Sequence, residues 1–390
     1  MQCPNIKLMK QHKILFIDHT SVIGGAELSL LDLVIPYAEN SKVLLFQDGP
    51  LHERLQQTGI TVTILNASKS ILDLRTSGGI NSLKTIPKLF RLAEQIAEEA
   101  KGYDLILANS QKAFVVAALS NLKVKIPIFW YLRDILTARH FSKLNRLVAV
   151  LLANRFAERV IVNSHATGKA FAAAGGKEKL LNVVYNGFES QRFDRVTIKE
   201  ANSVRSQLNI GNAPLIGLFS RFSYWKGQHI LLEAVKEIPQ VQVLLVGKAL
   251  FGEEEYVSML KTLSNEPKLK GRIHWLGFRD DIPKLMKACD IIVHTSTEPE
   301  PFGRVIVEGQ LAQKPVIASA AGGALEIVND GINGYLFPPE DAIALRQSIQ
   351  KLVSDRTLAQ AIGQRGYESA KTKFSLENLL ISFEEAISRY

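Results

Sequence analysis

Apolar runs of strand length alternate with stretches whose apolar positions recur at helical spacing, and the alternation persists along nearly the whole chain. "KILFIDH" reads as a first strand, "AELSLLDLVIPYA" as a helix starting near Ala26, and "KVLLFQ" as a second strand; "TVTIL", "DLILANS", "IPIFWYL" and "RVIVNS" continue the series. A second series opens with "PLIGLFSRF" and runs through "VQVLLVG", "RIHWLGF", "DIIVHTS", "KPVIASA" and "GYLF". Strands that alternate with helices build parallel sheets, because a parallel pair needs a crossover long enough to hold a helix. Between the two series lies "VVYNGFESQRFDRVTIKEANS", where a turn signal at Asn186-Gly187 precedes a polar, charged stretch, so the domain linker falls there.

The predicted fold is therefore α/β, with two Rossmann-like domains facing across a cleft: residues 1–190, residues 191–374, and an amphipathic helix in 375–390. In open α/β sheets ligands bind beyond the carboxyl ends of the strands, so the informative residues are those just after each apolar run.

Composition narrows the class. With 390 residues, 46% hydrophobic and 22% charged, the chain buries a sizeable core, and a disordered protein is excluded. Two cysteines, Cys3 and Cys289, argue against a disulfide framework and suit a reducing cytosol. The first apolar run, Ile14 to Ile17, is too short for a signal sequence. No run reaches the roughly 20 apolar residues that span a bilayer, so the expectation is a cytoplasmic protein, soluble or peripheral on the cytoplasmic membrane face.

Charge is uneven. Residues 1–190 carry 23 Lys and Arg against 15 Asp and Glu, whereas residues 191–390 carry 24 against 23. The basic first half points to an anionic partner, a lipid surface, a phosphorylated acceptor or nucleic acid; the alternative is a merely soluble basic surface, since no nucleic-acid motif is present. "RDILTARHFSKLNRLVAVLLANRFAER" sets Arg139, Lys143, Arg146 and Arg155 among apolar residues, which suits either membrane contact or a core helix with a solvated edge.

Several strand ends could carry chemistry. After the first strand, Gly24-Gly25 precede a helix whose N-terminal N–H groups would suit an anion, or they form an ordinary βα turn. Arg221 and Lys226, five residues apart in "RFSYWKGQHILLEAV", suit a diphosphate, the Arg as a fork and the Lys as a point charge; solvated surface charge is the alternative. Gly322-Gly323 repeats the first loop's design, and Gly277 with Phe278 could close over a flat base. Asp280-Asp281 resemble a metal pair but read better as a helix N-cap before Ile282, and no metal is expected.

"TSTEPEPFGRVIVEGQ" places Glu298 and Glu300 before a helix expected near Phe302, and Glu308 within it. The helix dipole and an i,i+4 pair with Arg304 would account for these acids, at roughly 0.3–1 and 0.2–0.5 kcal/mol respectively. A carboxylate on a largely apolar helix also has reason to accept hydrogen bonds, for which sugar hydroxyls are suitable donors.

Taken in order, the Gly-Gly loop, the Asn-Gly linker, Arg-x4-Lys-Gly, Glu-Pro-Phe-Gly-x4-Glu and Gly-Gly-x2-Glu resemble retaining glycosyltransferases of family 4, which have the GT-B fold. The resemblance implies hexosyl transfer from a nucleotide-diphosphate sugar, UDP- or GDP-linked, to a hydroxyl-bearing glycan, polysaccharide or lipid-linked acceptor. It implies no cofactor. By position, Arg221 and Lys226 would bind and stabilise the leaving diphosphate, and Glu308 would hold the ribose. Glu300 would lie beside the transferred sugar, with backbone N–H groups at Phe302 and Gly303 holding its hydroxyls; Gly24, Gly25, Gly322 and Gly323 would line the donor site. The last helix would cross back to the N-terminal domain. Many members carry a histidine after the fourth N-terminal strand; here "FWYLRDI" offers Tyr131 in its place and Arg133 for an anionic acceptor, with His19 and His140 as further candidates.

Two other classes compete. A catalytically silent nucleotide-sugar or glycan-binding protein of the same fold would not need Arg221, Lys226, Glu300 and Glu308 intact, and a nicotinamide dehydrogenase would need a dinucleotide fingerprint that the chain lacks.

Overall fold

The computed structural model describes residues 12–72, 86–137, 141–250 and 252–388. Cys3, Arg139 and His140 lie outside them. The chain divides into two compact units: residues up to Gly187 together with those from Leu376 onward, and Phe188–Ser375.

The first unit is built on seven parallel strands: β1 (Ile14–Asp18), β2 (Lys42–Leu45), β3 (Thr61–Ile64), β4 (Leu105–Ala108), β5 (Ile128–Leu132), β6 (Ala157–Val162) and β7 (Leu181–Val183), in the order β3-β2-β1-β4-β5-β6-β7. Alternate residues of β1 enter different cores. Leu15 and Ile17 pack with Ile106 and Trp130 on one face, while Ile14 and Phe16 pack with Leu107 and Tyr131 on the other. Burial of both faces is why these strands read as unbroken apolar runs. The helix Leu376–Ile387 belongs to the second of these cores through Leu379, Leu380 and Phe383, and the Tyr37 hydroxyl donates to the Glu384 carboxylate.

The second unit repeats the plan with six parallel strands: β8 (Leu215–Phe219), β9 (Gln242–Val246), β10 (Ile273–Gly277), β11 (Ile291–His294), β12 (Val316–Ser319) and β13 (Tyr335–Phe337), ordered β10-β9-β8-β11-β12-β13. In each sheet the order reverses beside its first strand, which puts the switch points between β1 and β4 and between β8 and β11. Ligands bind outside the carboxyl ends at such points.

Local differences from expectation have local causes. The helix expected to run to Ala38 spans Gly25–Val34 and passes into a 3-10 turn at Ile35–Tyr37, because Pro36 cannot donate to the α-helical ladder. β7 went unseen in the sequence, since three residues are too few to show a period. The helix after "EPEP" begins at Arg304, not Phe302, because Gly303 holds a left-handed φ of 97° that ends the turn. Asp281 does precede the helix Ile282–Ala288, but its carboxylate makes no cap; Arg279 grips it at 2.8 and 2.6 Å. Cys289 is buried, and burial pushes its thiol up to about 12.

Candidate active site

The loops after β8 and β11 flank the second switch point, and they are sewn together. The Thr295 hydroxyl donates to the Lys226 carbonyl at 2.9 Å, and the Thr297 N–H to the Trp225 carbonyl at 2.8 Å. Gly227 allows this approach. It sits in the left-handed region at φ 67°, and a Cβ there would fall 2.0 Å from the Thr295 carbonyl oxygen. Behind the loop, the buried Gln228 amide donates to the Ser220 hydroxyl and the Arg221 carbonyl, each at 2.9 Å, and accepts from the Tyr256 hydroxyl at 3.0 Å.

This framework sets Lys226 against Glu300. The ammonium lies 2.5 Å from Glu300 Oε1 and 4.1 Å from the centre of the Trp225 ring, and the Arg221 guanidinium lies 5.3 Å from that ring. Burial lowers the Lys226 pKa and the like charge of Arg221 adds to the effect, while Glu300 pulls the other way. Two neighbouring cations suit an incoming diphosphate.

Glu300 is buried, and burial alone would raise its pKa. The charge of Lys226 and the contact with His294 outweigh that penalty, so the carboxyl is held well below its usual range. His294 Nε2 stands 2.9 Å from Oε1, and the Ser296 hydroxyl donates to the same oxygen. Neither residue stood out in the sequence. The signal was there only in retrospect: a polar "HTS" closing an apolar strand beside the switch point.

The rest of the predicted donor set divides by what each residue touches. Glu308 is partly buried, and its Oε1 lies 3.5 Å from Arg304 Nε, the i,i+4 pair anticipated from spacing. Phe302 is buried against Phe188 and Phe374, so its ring anchors the turn and only its backbone faces the loops. Helix Arg304–Leu311 starts immediately after it, and the opening N–H groups of a helix have no intrahelical acceptor. Gly277 has φ 67°, and Phe278 beside it is 51% exposed, with the Lys248 ammonium 5.3 Å from its ring centre. Gly322 and Gly323 pack against the backbone of Glu300–Phe302. The Gly323 N–H donates to the Glu300 carbonyl at 2.9 Å, and a Cβ on Gly322 would meet that oxygen at 2.3 Å. Their smallness brings β12's loop against the Glu300 turn. A cavity of about 210 Å³ elsewhere in this unit is lined by Glu200, Arg279, Asp281 and Lys284, and by none of the residues just described.

At the first switch point the predicted residues engage one another. Gly24 is the N-cap of its helix, and its N–H donates to the Glu27 carboxylate at 2.9 Å, so the chain supplies its own carboxyl at this helix start. Burial, then the nearby Asp18 charge, push Glu27 up to about 8. His19 Nδ1 lies 2.7 Å from the Ser110 hydroxyl and 3.2 Å from the buried Asp18, leaving the ring 28% exposed. Asp18 accepts from the Asn109 amide at 2.6 Å. Arg133 donates to Asn109 at 2.5 Å and to Asn186 at 2.9 Å, and its guanidinium stacks 3.7 Å from the Tyr131 ring centre. Tyr131 is fully buried, and its hydroxyl donates to the Val184 carbonyl at 2.9 Å. Glu27, Asp18, Asn109 and Asn186 were not anticipated; strand order brings Asn109 to Asp18 and Asn186 to Arg133, whereas Glu27 is placed by the capping of its own helix.

Among the described residues, no cluster of three or more His, Cys, Asp or Glu could hold a metal, and no helix is long and apolar enough to cross a membrane.

Known proteins share this fold. Residues 200–369 match the family described as "Glycosyl transferases group 1", and residues 23–192 match "Glycosyltransferase Family 4". Crystal structures of HepE from Anabaena, in complex with UDP and with UDP-glucose, superpose with TM-scores of 0.88 and 0.89 at 41% identity, over 97% of this chain and 100% of that one. An uncharacterized glycosyltransferase, MJ1178 of Methanocaldococcus jannaschii, is 30% identical over 73% of this chain and 74% of its own. The lipopolysaccharide core biosynthesis glycosyltransferase LpsE of Rhizobium meliloti is 30% identical over 177 residues, so the match spans only 50% of that relative. With both halves matched and the two parallel sheets in place, the chain belongs to glycosyltransferase family 4, whose members are retaining enzymes of the GT-B fold.

Proposed function

We propose that the protein transfers a hexose, with retention, from UDP-glucose or a closely related UDP-sugar to a hydroxyl of a glycan or lipid-linked saccharide. The observation that carries this reading is the Lys226–Glu300 pair at the second switch point, with Arg221 beside it. A UDP-glucose complex of a structure 41% identical to this chain supports the choice of donor.

The residues take complementary roles. As the bond between the anomeric carbon and the bridging oxygen breaks, the electron pair and the negative charge stay on the departing diphosphate. Arg221 and Lys226 neutralise that charge, and a fixed cation of this kind is typically worth 10²–10³ in rate. The opening N–H groups around Phe302 and Gly303 would add hydrogen bonds at the donor, Glu308 would accept from the ribose hydroxyls, and Phe278 with Gly277 would cover the base. The acceptor oxygen then bonds to the same face of the anomeric carbon that the diphosphate leaves, and its proton passes to the departing diphosphate oxygen on that face.

The acceptor side draws on the first unit. Helix Lys143–Phe156 exposes Leu144, Leu147 and Leu151 at 45%, 50% and 57%, at i, i+3 and i+7, beside exposed Lys143 and Arg155. Such a stripe suits an anionic membrane that carries a lipid-linked acceptor. Cosedimentation with vesicles containing a third anionic lipid at low salt is expected to bind the wild type and lose the Leu147→Ser/Leu151→Ser variant; equal pelleting of both would remove the membrane from this reading.

A panel of nucleotide sugars, scored for release of the nucleoside diphosphate and for protection against melting, tests the donor. UDP-glucose or an epimer is expected to be turned over. A protein that binds UDP-sugars but releases no UDP with any glycan acceptor would be a silent binding protein, and the proposal would fall.

A further inference from the structure

Glu300 is held in an unbalanced way. Lys226 Nζ, His294 Nε2 and the Ser296 hydroxyl all converge on Oε1. No hydrogen bond among the described residues reaches Oε2, and the side chain keeps 9% of its surface open. Lys226 therefore has two tasks in the donor-binding reading, on which this inference rests: it pairs with Glu300 in the structure, and it serves the diphosphate once the donor arrives. A cation drawn toward a doubly charged diphosphate leaves its first partner, and a buried carboxylate that loses its cation is costly unless other donors hold it.

We propose that His294 is the positioning residue that keeps Glu300 in place when Lys226 turns to the donor diphosphate, leaving Oε2 for a hydroxyl of the transferred hexose. The imidazole is well set for this. It is 7% exposed at the end of β11, its Nε2 stands 2.9 Å from Oε1, and Nδ1 stands 3.5 Å from the Ser319 hydroxyl at the end of β12, a contact that orients the ring. Ser296 adds a second donor that is independent of Lys226, and its hydroxyl lies 3.3 Å from the same Nε2. Lys226 comes from the loop after β8, whereas His294 and Ser296 share one strand end with Glu300, so the lysine can shift without disturbing them.

The test separates positioning from mere packing and from a wrong donor. His294→Ala, His294→Gln and His294→Phe are compared with the wild type, using the sugar donor that the wild type turns over. His294→Ala is expected to raise the donor KM at least tenfold and lower kcat, while the affinity for UDP, which has no hexose, stays within twofold. His294→Gln restores an N–H donor and should recover most of the loss; His294→Phe fills the volume without one and should not. Crystal structures give a readout free of activity: the Glu300 carboxylate should leave its wild-type position in His294→Ala when UDP is bound. Equal behaviour of His294→Gln and His294→Phe, or an unmoved Glu300 with unchanged KM in His294→Ala, would overturn the proposal. A wild type inactive with every nucleotide sugar would instead overturn the donor reading, and the crystallographic arm would still decide the role of His294.

Discussion

At the carboxyl edge of the first sheet, Asp18, Glu27 and Arg133 are each bonded to neighbours within their own unit, through Asn109, the Gly24 N–H and Asn186. At the matching edge of the second sheet, Lys226, His294 and Ser296 crowd one oxygen of Glu300, and no hydrogen bond among the described residues reaches the other, with Arg221 near Lys226. The strand orders are equivalent, so topology alone does not produce the difference. A polar network whose members satisfy one another stiffens a framework, whereas a network with an open acceptor beside a cation is prepared for a ligand. The comparison teaches that a shared fold supplies two candidate edges and side chains decide which of them does electrostatic work.

The largest effect should come from the open edge. Lys226→Ala is expected to lower kcat about 10²-fold or more, as measured by steady-state UDP release. Wild-type turnover in that variant would end the assignment of leaving-group stabilisation. The reverse pattern is expected at the closed edge. Arg133→Met strips donors from Asn109 and Asn186 in a buried site, so stability should fall by more than about 2 kcal/mol, while calorimetry should find UDP affinity unchanged. A large loss of UDP binding at unchanged stability would show that the two edges had been told apart wrongly.

Smaller effects sharpen the contrast. Glu308→Ala removes the acceptor assigned to the ribose and should weaken UDP binding about tenfold, or roughly 1.4 kcal/mol; unchanged affinity would leave the Arg304 pair as its whole role. Glu27 supplies the pH test. Its folded pKa, about 8, lies above its ordinary value of 4.5, so the folded state retains a proton that the unfolded chain gives up. The stability this confers is full below pH 4.5 and is lost as the pH rises through about 8. Glu27→Gln should therefore flatten the pH dependence of melting, raising the midpoint by about 2–4 °C at pH 9 and changing it little at pH 4. A wild type as stable at pH 9 as at pH 5 would remove the raised carboxyl from the closed network.

Much of this was legible in the chain. Strand and helix alternation is written into local apolar spacing, and Arg221, Lys226, Glu300 and Glu308 carry their meaning in short-range order along the sequence. Apolar periodicity says which residues are buried and not which polar residues meet. Lys226 and Glu300 are 74 positions apart and pair only because β8 lies beside β11 in the sheet. His294 and Asn109 looked like the ends of strands and Asn186 like a linker turn, though the two asparagines, 24 and 53 positions from Arg133, both meet it. Tyr131, offered in place of the family histidine, is buried because both faces of its strand pack into cores.

Sequence by itself therefore determined two parallel α/β units, since these follow from local apolar spacing, and through a family resemblance it offered two cations and two carboxylates as donor-side candidates. Tertiary structure decided which oxygen of Glu300 is held, that Gly227, Gly322 and Gly323 serve close backbone approach, and that the first sheet's polar edge is closed on itself. The physical reason is the same throughout: burial makes an unsatisfied polar group costly, so partners are fixed by which loops the strand order brings within hydrogen-bonding distance.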